Sequence, residues 1–248
     1  MRPVVASMWT GTPKRARKYA ELASVWEYSA RKIFGSRAEI ICRAVGALDM
    51  TQPCPTFSRK GTRMIGPSKS LAWREKIRQW ASIMEEVGPG RQVLLTDIDV
   101  AFYRNPFRAV RKEFDGVWDV GMCAQSTGAV YFSGSKRSHE FMRRWLAETE
   151  RLFEDAELYE EMDRQYLGLD QSSIQLVIGY QCPGRVVSLP LRYHSTVNNY
   201  ELPPYLMHYH SIMRGAIYEI TPISQIPPEL RVYVRSWRRM RERADSKK

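Results

Sequence analysis

The run Val93-Leu-Leu-Thr-Asp97-Ile-Asp99-Val-Ala-Phe-Tyr103 constrains the fold of this chain more than any other segment. Val93, Leu94 and Leu95 before the acids, and Val100, Ala101 and Phe102 after them, are apolar at every position, the pattern of a strand buried on both faces. Asn105-Pro106 then stops it. Side chains at i and i+2 of a strand face the same way, which places Asp97 and Asp99 on one side and turns Ile98 back toward the core. Two neighbouring carboxylates repel, and burying them without a partner is costly. A hard divalent cation that keeps some waters and grips a substrate diphosphate suits such a pair. The plain alternative is a solvated acidic pair at a strand end.

The segments around this run alternate in type. Pro3 to Trp9 reads as a first strand, followed by a Thr10-Gly11-Thr12-Pro13 loop and a helix to about Phe34, with Tyr19, Leu22, Ala23, Trp26, Ala30 and Ile33 at helical spacing. Ala38 to Val45 reads as a second strand, and a loop with Pro and Gly runs from about Gly46 to Lys69. Leu71 to Val87 reads as a helix with Trp73, Ile77, Trp80, Ala81 and Met84 on one face, ended by Gly88-Pro89-Gly90. Beyond the carboxylates, Trp118 to Cys123 and Ala129 to Phe132 read as short strands. Helices follow over about 138–153 and 157–166, then strand-like fragments around 186–189 and 205–210. Strand and helix alternation implies an α/β fold with a mostly parallel central sheet flanked by helices and a less regular C-terminal half. Ligands of such sheets bind at the carboxyl ends of the strands, where Thr10 to Thr12 and Asp97 to Asp99 fall.

With 248 residues and 44% hydrophobic content the chain can bury a sizeable core, so a single large domain over 1–230 is expected. The four cysteines are scattered and form no CxxC pair, which points away from a structural zinc site or a disulfide framework. The N-terminal apolar stretch is too short for a secretory signal and no window reaches the length of a membrane span, so a cytoplasmic protein is expected. The net charge of +11 is uneven: residues 231–248 hold eight Lys or Arg against two acids, +6 of the total. That tail reads as a solvated terminus or as a surface for nucleic acid or an anionic membrane. Its mixture of Tyr233, Trp237 and Met240 with arginines suits a peripheral membrane helix.

Taken in order, the Thr-Gly-Thr loop, Trp73-Arg-Glu-Lys76-Ile, Leu94-Leu-Thr-Asp-Ile-Asp-Val-Ala-Phe102, Ser126-Thr-Gly-Ala-Val-Tyr-Phe132, Leu169-Asp-Gln171 and Leu206-Met-His-Tyr-His210 resemble a nucleotide-sugar glycosyltransferase of the GT-A fold, a Rossmann-like plan. The resemblance covers most of residues 4–214, and bacterial lipopolysaccharide galactosyltransferases and glycogenin have a similar plan. It implies a hexosyltransferase that moves a sugar from a nucleoside diphosphate, UDP above all, to an acceptor hydroxyl, with a lean toward retention of configuration. The nucleotide-sugar half would span about 1–125 and the acceptor half about 126–230, with 231–248 as a basic tail. The resemblance maps the DxD pair that holds Mn²⁺ or Mg²⁺ onto Asp97 and Asp99, with Asp99 the more direct ligand and Asp97 also able to touch the ribose.

The same resemblance places a third ligand on His208. Ser211 stands where similar enzymes have Gly, which leaves His208 and His210, two residues apart, both open as the ligand, with Arg214 close by. Arg74 and Lys76 fall where related enzymes carry cations for the diphosphate or sugar, and at least one is expected to face the site. Thr10, Gly11 and Thr12 correspond to the base and ribose region. Ser126, Thr127 and Gly128 correspond to an element lining the donor sugar, with Ser in place of Asn. Asp170 and Gln171 match an Asp-Gln pair beside the transferred sugar and acceptor, where the resemblance implies that Asp170 orients hydroxyls or acts as base, and Asp170 also suits the opening of a helix.

Two further readings stand beside this one. A nucleotidyltransferase of similar fold also uses metal and nucleotide, but starts with a Gly-rich basic loop of which Thr10 to Lys14 supplies a single Gly. A non-enzymatic nucleic-acid-binding module would rest on residues 231–248 alone, where no groove-reading element is spelled out. A transferase whose acceptor is a nucleic acid lies between them, because a basic tail can dock a phosphate backbone.

Overall fold

The computed structural model describes residues 1–10, 13–46, 67–107, 109–110, 118–123, 126–166 and 168–246. A central sheet of six strands has the order β2-β1-β3-β6-β5-β7. It is built from β1 (Val4–Trp9), β2 (Glu39–Ala44), β3 (Val93–Thr96), β5 (Val120–Met122), β6 (Ala129–Phe132) and β7 (Val186–Ser188). β1 pairs in parallel with both β2 and β3, and β5 with β7; β6 runs antiparallel between β3 and β5. Two short strands, β4 (Val100–Phe102) and β8 (Leu206–His208), pair antiparallel in a separate small sheet.

The helices are α1 (Pro13–Phe34), α2 (Pro67–Val87), α3 (Lys136–Glu154), α4 (Ala156–Tyr166), α5 (Leu169–Tyr180), α6 (Ser211–Ile217) and α7 (Arg231–Asp245). Side-chain alternation along the sheet feeds two cores. Val4, Ala6, Met8, Val93 and Leu95 pack with Ile77, Trp80 and Met84 of α2, Phe141 and Trp145 of α3 and Ile174 of α5. Val5 and Leu94 point to the opposite face, against Leu22, Trp26 and Phe34 of α1 and Val234, Trp237 and Met240 of α7. Both faces of the sheet are covered, which is why its central strands are almost wholly apolar, with buried Ser7 and Thr96 as the polar exceptions in β1 and β3.

The expected strands and helices are present, with two differences of consequence. The run from Val93 to Tyr103 is two strands in two sheets, broken by a turn at Asp97–Asp99. Thr96 still pairs with Ser7 and Ala129 in the large sheet, whereas Val100 pairs with His208 in the small one. The second difference concerns residues 231–248. Residues 231–245 form a helix whose apolar stripe, Val234, Trp237, Met240 and Ala244, is buried in the protein. Trp237 is 1% exposed, so it and Met240 are core residues and do not serve as an apolar face for a membrane. Among the described residues no helix is long and apolar enough to cross a membrane.

Candidate active site

The break after β3 builds the site. Asp97 N–H donates to Gly128 O (2.9 Å) just before β6, and two residues later Asp99 O accepts from Tyr209 N–H (2.8 Å) just after β8. The turn is therefore stitched to the large sheet at one end and to the small sheet at the other, and Ile98 between the acids is buried as expected. Because β8 pairs with β4 in the register His208 to Val100, the His208 ring arrives beside the two carboxylates. Its Nε2 lies 3.1 Å from Asp99 Oδ1 and 3.7 Å from Asp97 Oδ2. Strand alternation on one ladder, the expected cause of the Asp97–Asp99 proximity, is replaced by this turn.

The outward oxygens of the pair are taken by cations. Lys76 Nζ, from the buried face of α2, lies 3.0 Å from Asp97 Oδ1 and also pairs with Asp170 Oδ2. Arg214, from α6, pairs with Asp99 Oδ2. Asp170 sits in the first turn of α5, where Thr127 Oγ1 donates to its Oδ2 (2.7 Å) and Gln171 N–H to its Oδ1 (3.0 Å). The residue before that helix, Gly168, has φ +123°, a backbone that side-chain-bearing residues rarely adopt. Trp145 Nε1 donates to the Asp170 carbonyl (3.2 Å), tying this turn to α3.

Burial and charge act in opposite directions here. Burial disfavours the Asp99 carboxylate, yet His208 and Arg214 outweigh it and hold its pKa well below the usual carboxylate range. Burial likewise disfavours a charged His208, but the Asp99 carboxylate raises its pKa above the ordinary imidazole value. Burial by itself lowers the Lys76 pKa, but Asp170 and Asp97 outweigh it and hold the ammonium above the ordinary lysine value. His210, its ring 4.8 Å from that of His208, is pushed down to about 4 by burial and by His208.

Asp97, Asp99 and His208 are a possible metal-holding group: one ligand atom from each lies within 4.8 Å of the others. Two carboxylate oxygens and an imidazole nitrogen suit Mn²⁺ or Mg²⁺. The fit is specific in its geometry. Asp97 Oδ1 and Asp99 Oδ2 are engaged by Lys76 and Arg214, so the oxygens turned toward His208 Nε2 are those left to take a cation.

Lys76, Asp97, Asp99, Thr127, Gly128, Asp170, His208, His210 and Arg214 thus come together. Arg74 does not join them: its Nε donates to Glu150 (2.8 Å) and its guanidinium lies 4.2 Å from the Phe153 ring centroid. Of Arg74 and Lys76, it is Lys76 that faces the site. Thr10 follows β1, and its hydroxyl donates to Gly46 O (3.1 Å), linking the segments just beyond β1 and β2. Gly11 and Thr12, and most of the loop from 46 to 69, lie outside the described residues. Ser126 Oγ accepts from Gly128 N–H (3.3 Å) and shapes the turn before β6. The sequence reading missed His194, whose Nε2 lies 3.0 Å from His208 Nδ1. The only signal for it was that three of the four histidines fall between 194 and 210.

A family model of nucleotide-diphospho-sugar transferases matches residues 62–215. The chain belongs to that family. Its fold is the GT-A plan, and its chemistry is sugar transfer from a nucleotide-sugar donor. Among solved structures, a glycosyltransferase involved in glycosylation of the major capsid of PBCV-1 is similar at 12% identity and a TM-score of 0.54, over 86% of this chain and 96% of the other. The galactosyltransferase LgtC, in complex with donor and acceptor sugar analogs, is similar at 10% identity and 0.51, over 84% and 87%. GlyE of Streptococcus pneumoniae TIGR4 is similar at 13% identity and 0.52, over all of this chain and 64% of the other. No curated protein matches the sequence.

Proposed function

We propose that this transferase is metal-dependent, uses a UDP-sugar, most naturally a UDP-hexose, and moves the sugar to an acceptor hydroxyl with retention of configuration. The observation that carries this reading is the convergence of Asp97 Oδ2 and Asp99 Oδ1 on His208 Nε2 while Lys76 and Arg214 hold the other two oxygens. Asp97, Asp99 and His208 would hold Mn²⁺ or Mg²⁺. When bound, such a cation stabilises the negative charge that grows on the departing diphosphate, without a proton.

The chain's own residues supply the rest. The Arg214 side chain is partly exposed and reaches the same diphosphate while keeping contact with Asp99. Lys76 keeps Asp97 and Asp170 in register. Asp170, with Thr127 and the Gln171 N–H already on its oxygens, is held in place to orient sugar hydroxyls. Among the described residues of the cluster, Asp97, Asp99 and Asp170 are all engaged by Lys or Arg, which argues against a side-chain base of the inverting kind and supports retention. In this reading Thr10 to Thr12 face the base and ribose, Ser126 to Gly128 line the donor sugar, and Gln171 lies by the acceptor. Residues 1 to about 125 form the donor half and about 126–230 the acceptor half.

The test is a screen of UDP-sugars for Mn²⁺-dependent hydrolysis, with wild type compared with Asp99→Ala and the product anomer read by NMR. Metal-dependent turnover lost in the variant supports the proposal; equal turnover, or turnover unaffected by a chelator, refutes it. Peripheral contact with an anionic membrane would fall to the exposed arginines of α7, Arg235, Arg239 and Arg243, one helical turn apart. Reversing all three to Glu should abolish binding to phosphatidylserine vesicles, and unchanged binding ends that idea.

A further inference from the structure

Resting on the metal site proposed above, we propose that His194 is a positioning residue that fixes the ring and the tautomer of His208. An imidazole ligates a metal only through an unprotonated nitrogen. His208 turns Nε2 toward Asp99 Oδ1 and Asp97 Oδ2, so its proton belongs on Nδ1 when it ligates, and that N–H needs an acceptor. His194 Nε2, 3.0 Å away, is that acceptor. The opposite tautomer would aim a proton at the carboxylate pair and close the ligating nitrogen.

Three features fix this geometry. His194 is 1% exposed, and its neighbour Ser195 is laid along β8: Ser195 N–H donates to Leu206 O (3.0 Å), and His208 N–H to Ser195 O (2.8 Å). The backbone that carries the second imidazole is thus bonded directly to the strand that carries the first. Gly128 closes the other side. A Cβ built there would stand 2.7 Å from both His194 Nε2 and His208 Nδ1, so the two nitrogens are seated against bare backbone. With Nε2 accepting, the His194 proton sits on Nδ1, which has no partner among the described residues, so the contact with His208 is the hydrogen bond this ring makes.

Calorimetric titration with Mn²⁺ alone tests the idea. Replacing the outer partner of a metal-bound His typically costs about 10- to 100-fold in affinity, and that loss is expected for His194→Leu, which keeps the bulk and removes the acceptor. His194→Gln, whose amide can reach the same point, should restore most of the affinity. A Leu variant that binds Mn²⁺ like wild type overturns the inference, and so does a Gln variant that loses as much as Leu. Failure of wild type itself to bind Mn²⁺ is a different result and removes the metal-site reading with it. Should the Leu variant not fold, long-range ¹H–¹⁵N spectra of wild type loaded with diamagnetic Zn²⁺ decide: His208 protonated at Nδ1 upholds the inference, and protonation at Nε2 overturns it.

Discussion

Lys76→Met isolates the buried cation that joins two of the site's carboxylates. Met matches the length of the Lys stem and keeps its packing near the Trp80 ring, which lies 4.8 Å from Nζ. What disappears is the charge facing Asp97 and Asp170. Stripping the partner from a buried ion pair typically costs about 3 to 5 kcal/mol. The Asp170 side chain is 6% exposed and faces that cost in full, whereas Asp97 at 25% recovers part of it from water. The lower end, about 3 kcal/mol, is therefore expected, or about 6 to 12 °C in Tm for a chain of this size. Urea unfolding followed by circular dichroism measures it. Lys76→Met with Asp170→Asn should regain most of the loss, because the more deeply buried of the two stranded charges is then gone and Asp97 keeps its access to water. A single variant within about 1 kcal/mol of wild type, or a double variant less stable than the single, would refute the reasoning. The pKa of Lys76 is raised in the folded protein, so its contribution is complete below about pH 10.4 and fades as pH rises beyond that.

The Asp99–His208 pair makes a second pH prediction for the metal-free protein. The raised pKa of His208 gives stability that is complete below about pH 6.5 and lost as pH climbs through the folded value; the lowered pKa of Asp99 gives stability present above about pH 3.9 and lost on acidification. Thermal melts across this range should show the alkaline fall in wild type and a flatter profile in His208→Gln. Gly128→Ala should cost about 1 to 3 kcal/mol by overpacking and weaken Mn²⁺ binding, since the new Cβ falls 2.7 Å from His194 and His208; wild-type calorimetry and melting would show the contact to be slack. Trp237→Ala should cost about 3 to 5 kcal/mol in urea unfolding, the penalty of a core cavity. A change of a few tenths would return α7 to the status of a loosely attached tail.

Much of the fold was legible because it is local. The stripes at Leu22, Trp26 and Ala30 and at Ile77, Trp80 and Met84 announce α1 and α2, and all six residues are buried. Apolar residues at every position of 93–95 announce a strand covered on both faces, which the two cores confirm. The acidic pair, Lys76, Asp170 and His208 were each visible as candidates. Arg74 and Lys76, two residues apart, are about 200° apart around a helix, and the sequence implied only that at least one of them faces the site. It had no means of choosing, because Glu150, the partner that draws Arg74 away, is 76 residues distant.

What only the tertiary structure decided are the choices of long-range partner. The break at Asp97 is invisible locally, since Val100 to Phe102 are as apolar as Val93 to Leu95; it exists because β4 finds β8 and leaves the large sheet. The stripe of Trp237 and Met240 suits a membrane or a core equally, and packing against α1 and the sheet gave the core. His194 carries no signal of its own beyond its residue type. It matters because a ladder bond sets it beside His208, itself 109 residues from Asp99, and spacing along the chain encodes periodicity but leaves register between distant strands unspecified.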